Sequence, residues 1–180
     1  MDPVTFEEAL MAVPGAGPVM EVAREVSRIM RDGGIDGAVI GGVAVVVHGH
    51  TRTTVDVDVF APDAERLSQA LQSAGFKLDR DKREFVKDRV PVHLVLASQI
   101  GVVPQKRLDI NGVRTVSLAD LLNIKLRSGG ENILRAKDLG DAIDLIRHHR
   151  LTKDFVARLD ASVRPEFLQL TEAIERESHS

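Results

Sequence analysis

The chain has 180 residues, 43% of them hydrophobic and 28% charged, with a formal net charge of -3, the proportions of one globular domain with its own core. No apolar run reaches the ~18 residues of a membrane-crossing helix, the N-terminus is acidic where a secretory signal would be basic, and the charge balance argues against a general nucleic-acid coat. The absence of Cys excludes disulfides, thiolate metal sites and cysteine nucleophiles, and 6 Phe as the only aromatics argue against single-strand binding by base stacking. The cytoplasm is the expected compartment, with no membrane partner.

In chain order, Thr5 and Glu8 stand in a capping-box pattern before Phe6, Leu10 and Met11 at helical spacing, which predicts a first helix. After the break at Pro14 to Pro18, Val19, Val22, Val26, Ile29 and Met30 form the apolar stripe of a second, stopped by Gly33-Gly34. Ala38, Val39 and Ile40 read as a short buried strand ending at Gly41-Gly42. Residues 43–48 suit a helix packed on the sheet, although periodicity does not settle them. Residues 53–60 alternate, with Val55, Val57 and Val59 facing one way and Thr54, Asp56, Asp58 and Phe60 the other, which predicts a strand. An amphipathic helix follows on Ala64, Leu67, Ala70 and Leu71, ended by Gly75.

Strand-like runs occupy 76–87 and 90–96, and Asn111-Gly112 predicts a hairpin between 107–110 and 113–116. Ser117 and Asp120 cap a helix through Arg127, broken at Ser128-Gly129-Gly130. A helix over about 131–149 buries Ile133, Leu134, Leu139, Ala142, Ile143 and Ile146, and helical segments at 153–159 and 165–177 close the chain. The expected fold is α/β (α+β), a small mixed β-sheet flanked by helices. It forms a single domain over 1–180, with N-terminal helices at 1–34, a sheet core at 35–116 and a helical C-terminal portion at 117–180.

The chemistry-bearing segment runs from Gly41-Gly42 to Asp58. Carboxylates at i and i+2 of a strand project from one face with Cα atoms ~6.5–7 Å apart, and a hard divalent cation between Asp56 and Asp58 would relieve their repulsion. The alternative is an exposed strand with two solvated acids. Gly41-Gly42 allows a ligand close to the backbone, with amides suited to phosphate, or it is an ordinary turn. Arg52 and Thr54 add a cation and a hydroxyl. His48 and His50 suit either a metal clip with Asp56 or solvent-facing positions. Lys125 is a phosphate ligand or a lysine whose stem covers the core, while Arg135, Lys137, Asp138 and Asp141 suit mutual pairing at helical spacing.

Gly41, Gly42, Arg52, Thr54, Asp56 and Asp58, together with Ser117-Leu-Ala-Asp120-Leu-Leu-Asn-Ile-Lys125 and Arg135-Ala-Lys137-Asp138-Leu-Gly-Asp141, resemble the nucleotidyltransferase superfamily of the polymerase-beta type, in the branch of AbiEii-type toxins. The resemblance covers about residues 35–151. It implies a small mixed sheet backed by helices, and transfer of a nucleoside monophosphate from an NTP to a hydroxyl acceptor, whether protein, RNA such as tRNA, or small molecule. It further implies Mg²⁺ or Mn²⁺ on Asp56 and Asp58, with Gly41, Gly42, Arg52, Thr54, Lys125 and Lys137 as nucleotide- or phosphate-binding residues. Family members usually carry a third acid on a neighbouring strand, where this chain has His93. That histidine reads as a general base, as a ligand for a softer ion such as Mn²⁺, or as a hydrogen-bonded strand residue in a site without turnover. Glu84 or Asp88 could substitute for the missing acid. The alternative function is a degenerate nucleotide-binding or regulatory module of toxin–antitoxin type, paired with a partner protein or a second copy.

Overall fold

The computed structural model describes residues 17–131 and 136–178. The helix expected around Thr5 to Met11, and the positions of Ile133, Leu134 and Arg135, lie outside the described residues. The first described helix, α1 (Pro18–Asp32), starts with proline in its first turn, where the missing N–H costs nothing, and buries Val19, Val22, Val26 and Met30. Strand β1 (Ala38–Ile40) is buried at every position and runs directly into α2 (Gly41–Val47), which settles the segment that periodicity left open.

Next come β2 (Val57–Phe60) and α3 (Ala64–Ser73), then β3 (Lys77–Asp79), β4 (Glu84–Lys87) and β5 (Val90–Val95). A short α4 (Ala97–Ile100) leads to the hairpin β6 (Arg107–Ile110) and β7 (Val113–Val116). Its turn holds Asn111 and Gly112 at φ 51° and 82°, the left-handed pair that an Asn-Gly turn requires. Helices α5 (Leu118–Glu131) and α6 (Ala136–His148), a 3-10 segment (Lys153–Arg158) and α7 (Arg164–Ser178) complete the order.

The seven strands form one mixed sheet in the order β3-β4-β5-β2-β1-β7-β6. β1 pairs antiparallel with β2 and parallel with β7, and β2 pairs parallel with β5. Strand alternation divides the core in two. Val39, Val57, Val59 and Val92 pack with α1 and with Leu67 and Leu71 of α3. Ala38, Ile40, Phe60 and Val116 pack with Leu121, Leu122, Ala142, Leu145 and Phe167 of the C-terminal helices. Asp58 and His93 lie in register between these neighbours, on the second face, and that places the polar cluster between the sheet and α5.

Two expectations need correction. Residues 53–56 do not join β2, and Val55 is 60% exposed, so it does not share a buried face with Val57 and Val59. One reason lies in the partner strand: β1 ends at Ile40, opposite Asp58, and Gly41 then carries the chain away at φ 65°, leaving residues 53–56 without a partner on the β1 side. Ser128-Gly129-Gly130 does not break the helix either, since α5 continues to Glu131. A Cβ on Gly129 would stand 2.9 Å from the backbone nitrogen of Leu139, so this glycine lets α5 and α6 approach each other closely instead of ending a helix.

Neither loop histidine forms a metal clip with Asp56. His50 pairs with Asp144 at 3.2 Å, and buried His48 places Nε2 2.9 Å from the Val116 carbonyl. Burial lowers the pKa of His48, with His149 adding to the effect against the opposing hydrogen bond to Val116. Below about pH 6.5 the unfolded chain therefore takes up a proton that the folded chain refuses, and stability falls as the pH drops toward the folded value. Melting curves between about pH 7.5 and 5.5 should show a steeper loss for the wild type than for His48→Gln, whose amide can still donate to Val116. Parallel slopes would show that His48 titrates alike in both states.

Candidate active site

Sheet register assembles the polar cluster. Asp58 of β2 is the direct partner of His93 on β5, and Ile40 flanks Asp58 on its other side. One step along from the Phe85–Val92 pair, Glu84 of β4 meets the far edge of the same imidazole. His93 Nδ1 lies 3.1 Å from Asp58 Oδ1, and its Nε2 lies 3.1 Å from Glu84 Oε2. Asp56 arrives from the loop before β2, its Oδ2 3.8 Å from His93 Nδ1. The Thr54 hydroxyl donates to Asp56 Oδ1 at 3.3 Å and holds that carboxylate.

Asp56, Asp58 and His93 are the one group among the described residues that could hold a metal ion, with one ligand atom from each within 4.8 Å of the others. Two carboxylate oxygens and an imidazole nitrogen converging on one point suit a divalent cation. Burial, and then the neighbouring Asp56 charge, raise the pKa of Asp58, opposed by His93 and Lys125. Burial pulls His93 down, but its hydrogen bonds to Glu84 and Asp58 outweigh that, and its pKa stands above the usual imidazole value.

Asp58 also lines a cavity of about 620 Å³, a size ordinary for a small-molecule site. Ile40, Gly41 and Val95 line its sheet side, Ile124, Lys125, Arg127 and Ser128 come from α5, and Gln99, Ile100 and Asp138 complete it. Lys125 is 6% exposed and reaches Asp138 at 2.6 Å and Asp141 at 2.8 Å, while Arg52 pairs with the same Asp141 oxygen. Asp138 and Asp141, expected from helical spacing to pair with Arg135 and Lys137, thus meet cations from α5 and from the loop before β2, while Arg135 lies outside the described residues.

The two glycines make room for side chains. A Cβ on Gly41 would fall 2.1 Å from Asp58 Oδ2, and one on Gly42 would fall 2.4 Å from Thr54 Oγ1. Gly41 also holds a positive φ, which costs an L-residue about 1–2 kcal/mol. Gly41→Ala is therefore expected to push the Asp58 carboxylate out of place and weaken divalent-cation binding about tenfold or more, as read by calorimetry. Unchanged affinity would reduce Gly41 to a turn residue.

The structure brings Gly41, Gly42, Thr54, Asp56, Asp58, His93 and Lys125 together. The Arg52 guanidinium lies beside Gly42, engaged with Asp141. Lys137 is exposed on α6 and does not line the cavity, and Asp88 is exposed in the β4–β5 turn, away from the place of a substituting acid. Sequence reasoning missed Gln99, Arg127 and Ser128. The available signal was the position of Arg127 and Ser128 two and three residues beyond Lys125, obscured by reading Ser128-Gly129-Gly130 as a helix end.

No protein-family model matches the chain, and no curated protein shows significant similarity to it. Among solved structures, ANT(2")-Ia in complex with adenylyl-2"-tobramycin is 15% identical, with a TM-score of 0.55 over 89% of this chain and 98% of that one. A nucleotidyltransferase-like antigenic protein from Paracoccidioides brasiliensis is 20% identical over 71% of this chain and 74% of its own, with a TM-score of 0.49. The first likeness shows that the chain has the nucleotidyltransferase-like fold. It shows the fold alone and does not show the AbiEii-like branch.

Proposed function

We propose that this protein is a metal-dependent nucleotidyltransferase that moves a nucleoside monophosphate from an NTP to a hydroxyl acceptor. One observation carries the reading: Asp58 belongs at once to the Asp56–Asp58–His93 cluster and to the wall of a cavity into which Lys125 and Arg127 also face. Acidic ligands for a cation and basic side chains for phosphate thus meet in one place. The neighbour that carries the fold comparison is described with an adenylylated compound, which agrees with this reading without identifying the acceptor here.

Asp56, Asp58 and His93 would hold the cation, and when bound it supplies charge neutralisation at the attacking and leaving oxygens of an in-line displacement. Lys125, fixed by Asp138 and Asp141, presents its ammonium group to the triphosphate. The acceptor oxygen forms a bond to the α-phosphorus as the bond to the β-phosphate breaks, and pyrophosphate leaves with the electron pair. The hydroxyl proton passes to solvent as the bond forms, since a carboxylate engaged by the cation is a weak proton acceptor. Thr54 orients Asp56, while Arg52 and Asp141 hold the loop that carries both. Lys137 has no part in this scheme, and Gly41 and Gly42 serve it by clearing space for Asp58 and Thr54.

A second reading, a binding module without turnover, is favoured by His93 standing where a third carboxylate would be and being held between Asp58 and Glu84. The test is incubation of the protein with each labelled NTP, Mg²⁺ or Mn²⁺, and acceptors including tRNA, small polyols and the protein itself. Release of pyrophosphate with label on the acceptor supports transfer. Nucleotide binding by calorimetry without pyrophosphate release supports the binding module in its place.

A further inference from the structure

The polar row across β4, β5 and β2 contains one residue that the transfer scheme leaves without a task. Glu84 is 11% exposed in its side chain and directs Oε2 at His93 Nε2 over 3.1 Å. Lys82 approaches the other oxygen only at 3.8 Å, from a side chain 70% exposed, too loose and wet a pair to draw the carboxylate from the ring. A cation held by Asp56 and Asp58 would engage the carboxylate that lies 3.1 Å from Nδ1, which leaves Glu84 to accept the Nε2 proton and Nδ1 as the ligand nitrogen. A carboxylate on the outer nitrogen of an imidazole fixes its tautomer and strengthens the inner nitrogen as a metal ligand. Imidazole suits first-row transition-metal ions, whereas Mg²⁺ demands near-ideal oxygen octahedra and gives up water reluctantly.

We infer that Glu84 positions His93 as a nitrogen ligand, and that the Asp56–Asp58–His93 site in consequence selects a transition-metal dication of the Mn²⁺ class over Mg²⁺. This rests on the reading of those three residues as metal ligands, and it holds whether or not the bound ion supports transfer. Glu84 is a positioning residue: it acts through the ring and does not touch the ion.

The experiment is titration of the 180-residue chain with Mn²⁺ alone, read by the loss of the free-ion electron paramagnetic resonance signal and repeated in competition with Mg²⁺. Pulsed resonance of the bound ion tests for a directly coordinated nitrogen. The wild type should bind Mn²⁺ more tightly than Mg²⁺ and show the nitrogen coupling. Glu84→Ala should weaken Mn²⁺ about 10–100-fold with Mg²⁺ affinity nearly unchanged, and Glu84→Gln, which keeps an acceptor oxygen, should recover part of the loss. His93→Asp should remove the nitrogen coupling and shift preference toward Mg²⁺. Equal or tighter Mg²⁺ binding by the wild type, bound Mn²⁺ without nitrogen coupling, or Mn²⁺ affinity indifferent to Glu84→Ala would each overturn the inference. Mn²⁺ binding as described, in a protein that releases no pyrophosphate, would overturn the transferase reading alone.

Discussion

Asp58→Asn is expected to lower nucleotidyl transfer about 10³-fold while leaving the metal-free protein at least as resistant to heat as the wild type. The size follows from what the carboxylate does. It is the one side chain common to the metal-ligand cluster and the cavity, and a correctly held cation is worth several kcal/mol of transition-state stabilisation, each 1.36 kcal/mol being about tenfold in rate.

The stability half follows from the raised pKa of Asp58, caused by burial first and by Asp56 second. Because the folded state holds this proton more tightly than the unfolded chain, ionised Asp58 costs stability once the pH passes above the ordinary carboxylate value. Asparagine removes that charge and keeps an amide that can hydrogen-bond to His93 Nδ1. Transfer rates and melting temperatures measured together check the prediction. Activity retained within tenfold would contradict the assignment, and activity lost with a large fall in melting temperature would trace the effect to unfolding. Added Mn²⁺ should raise the melting temperature of the wild type by preferential binding to the folded state, and should do much less for the variant.

Asp141→Ala should be the most destabilising substitution in the polar layer, at about 3 kcal/mol, or roughly 6–12 °C in melting temperature. Asp141 is 7% exposed and compensates Arg52 and Lys125, themselves 13% and 6% exposed. Its removal leaves Arg52 short of charge compensation in a poorly solvated place, while Lys125 keeps Asp138. A buried ion pair adds little over an apolar replacement, but taking one partner away exposes the desolvation cost of the other. Asp141→Ala combined with Arg52→Met should therefore recover much of the loss, as differential scanning calorimetry would show. Two losses that simply add would mean that Arg52 and Asp141 do not depend on each other. Since Arg52 also anchors the loop leading to Asp56, the single variant should bind divalent cations more weakly than the double variant's stability alone predicts.

Much of the architecture was legible because it depends on local periodicity. The stripe of α1, the alternation of 90–95 and the Asn111-Gly112 turn are each written within ten or fifteen neighbouring residues, and the Ser117–Asp120 cap appears as expected, with the Asp120 amide donating to Ser117 Oγ at 3.1 Å. Alternation also placed His93 on the face opposite Val92 and Leu94, with Val95. Where local pattern misled, a distant partner intervened. Residues 53–56 alternate like a strand, yet β1 stops short of them. Gly129 looks like a helix end, yet its purpose is the contact with Leu139.

The sequence by itself determined the set of groups: two aspartates spaced around Val57, glycines at the end of a short strand, a lysine on an apolar helix and a histidine on a later strand. Only the tertiary structure decided their partners. Parallel pairing of β2 with β5 put His93 against Asp58, the β4 register put Glu84 behind the ring, and the packing of α5 on α6 gave Lys125 to Asp138 and Asp141. The reason is physical: the type and spacing of side chains are local properties of the chain, whereas the charge a buried group faces is set by which distant segment shares its layer, and sheet register and helix packing choose that segment.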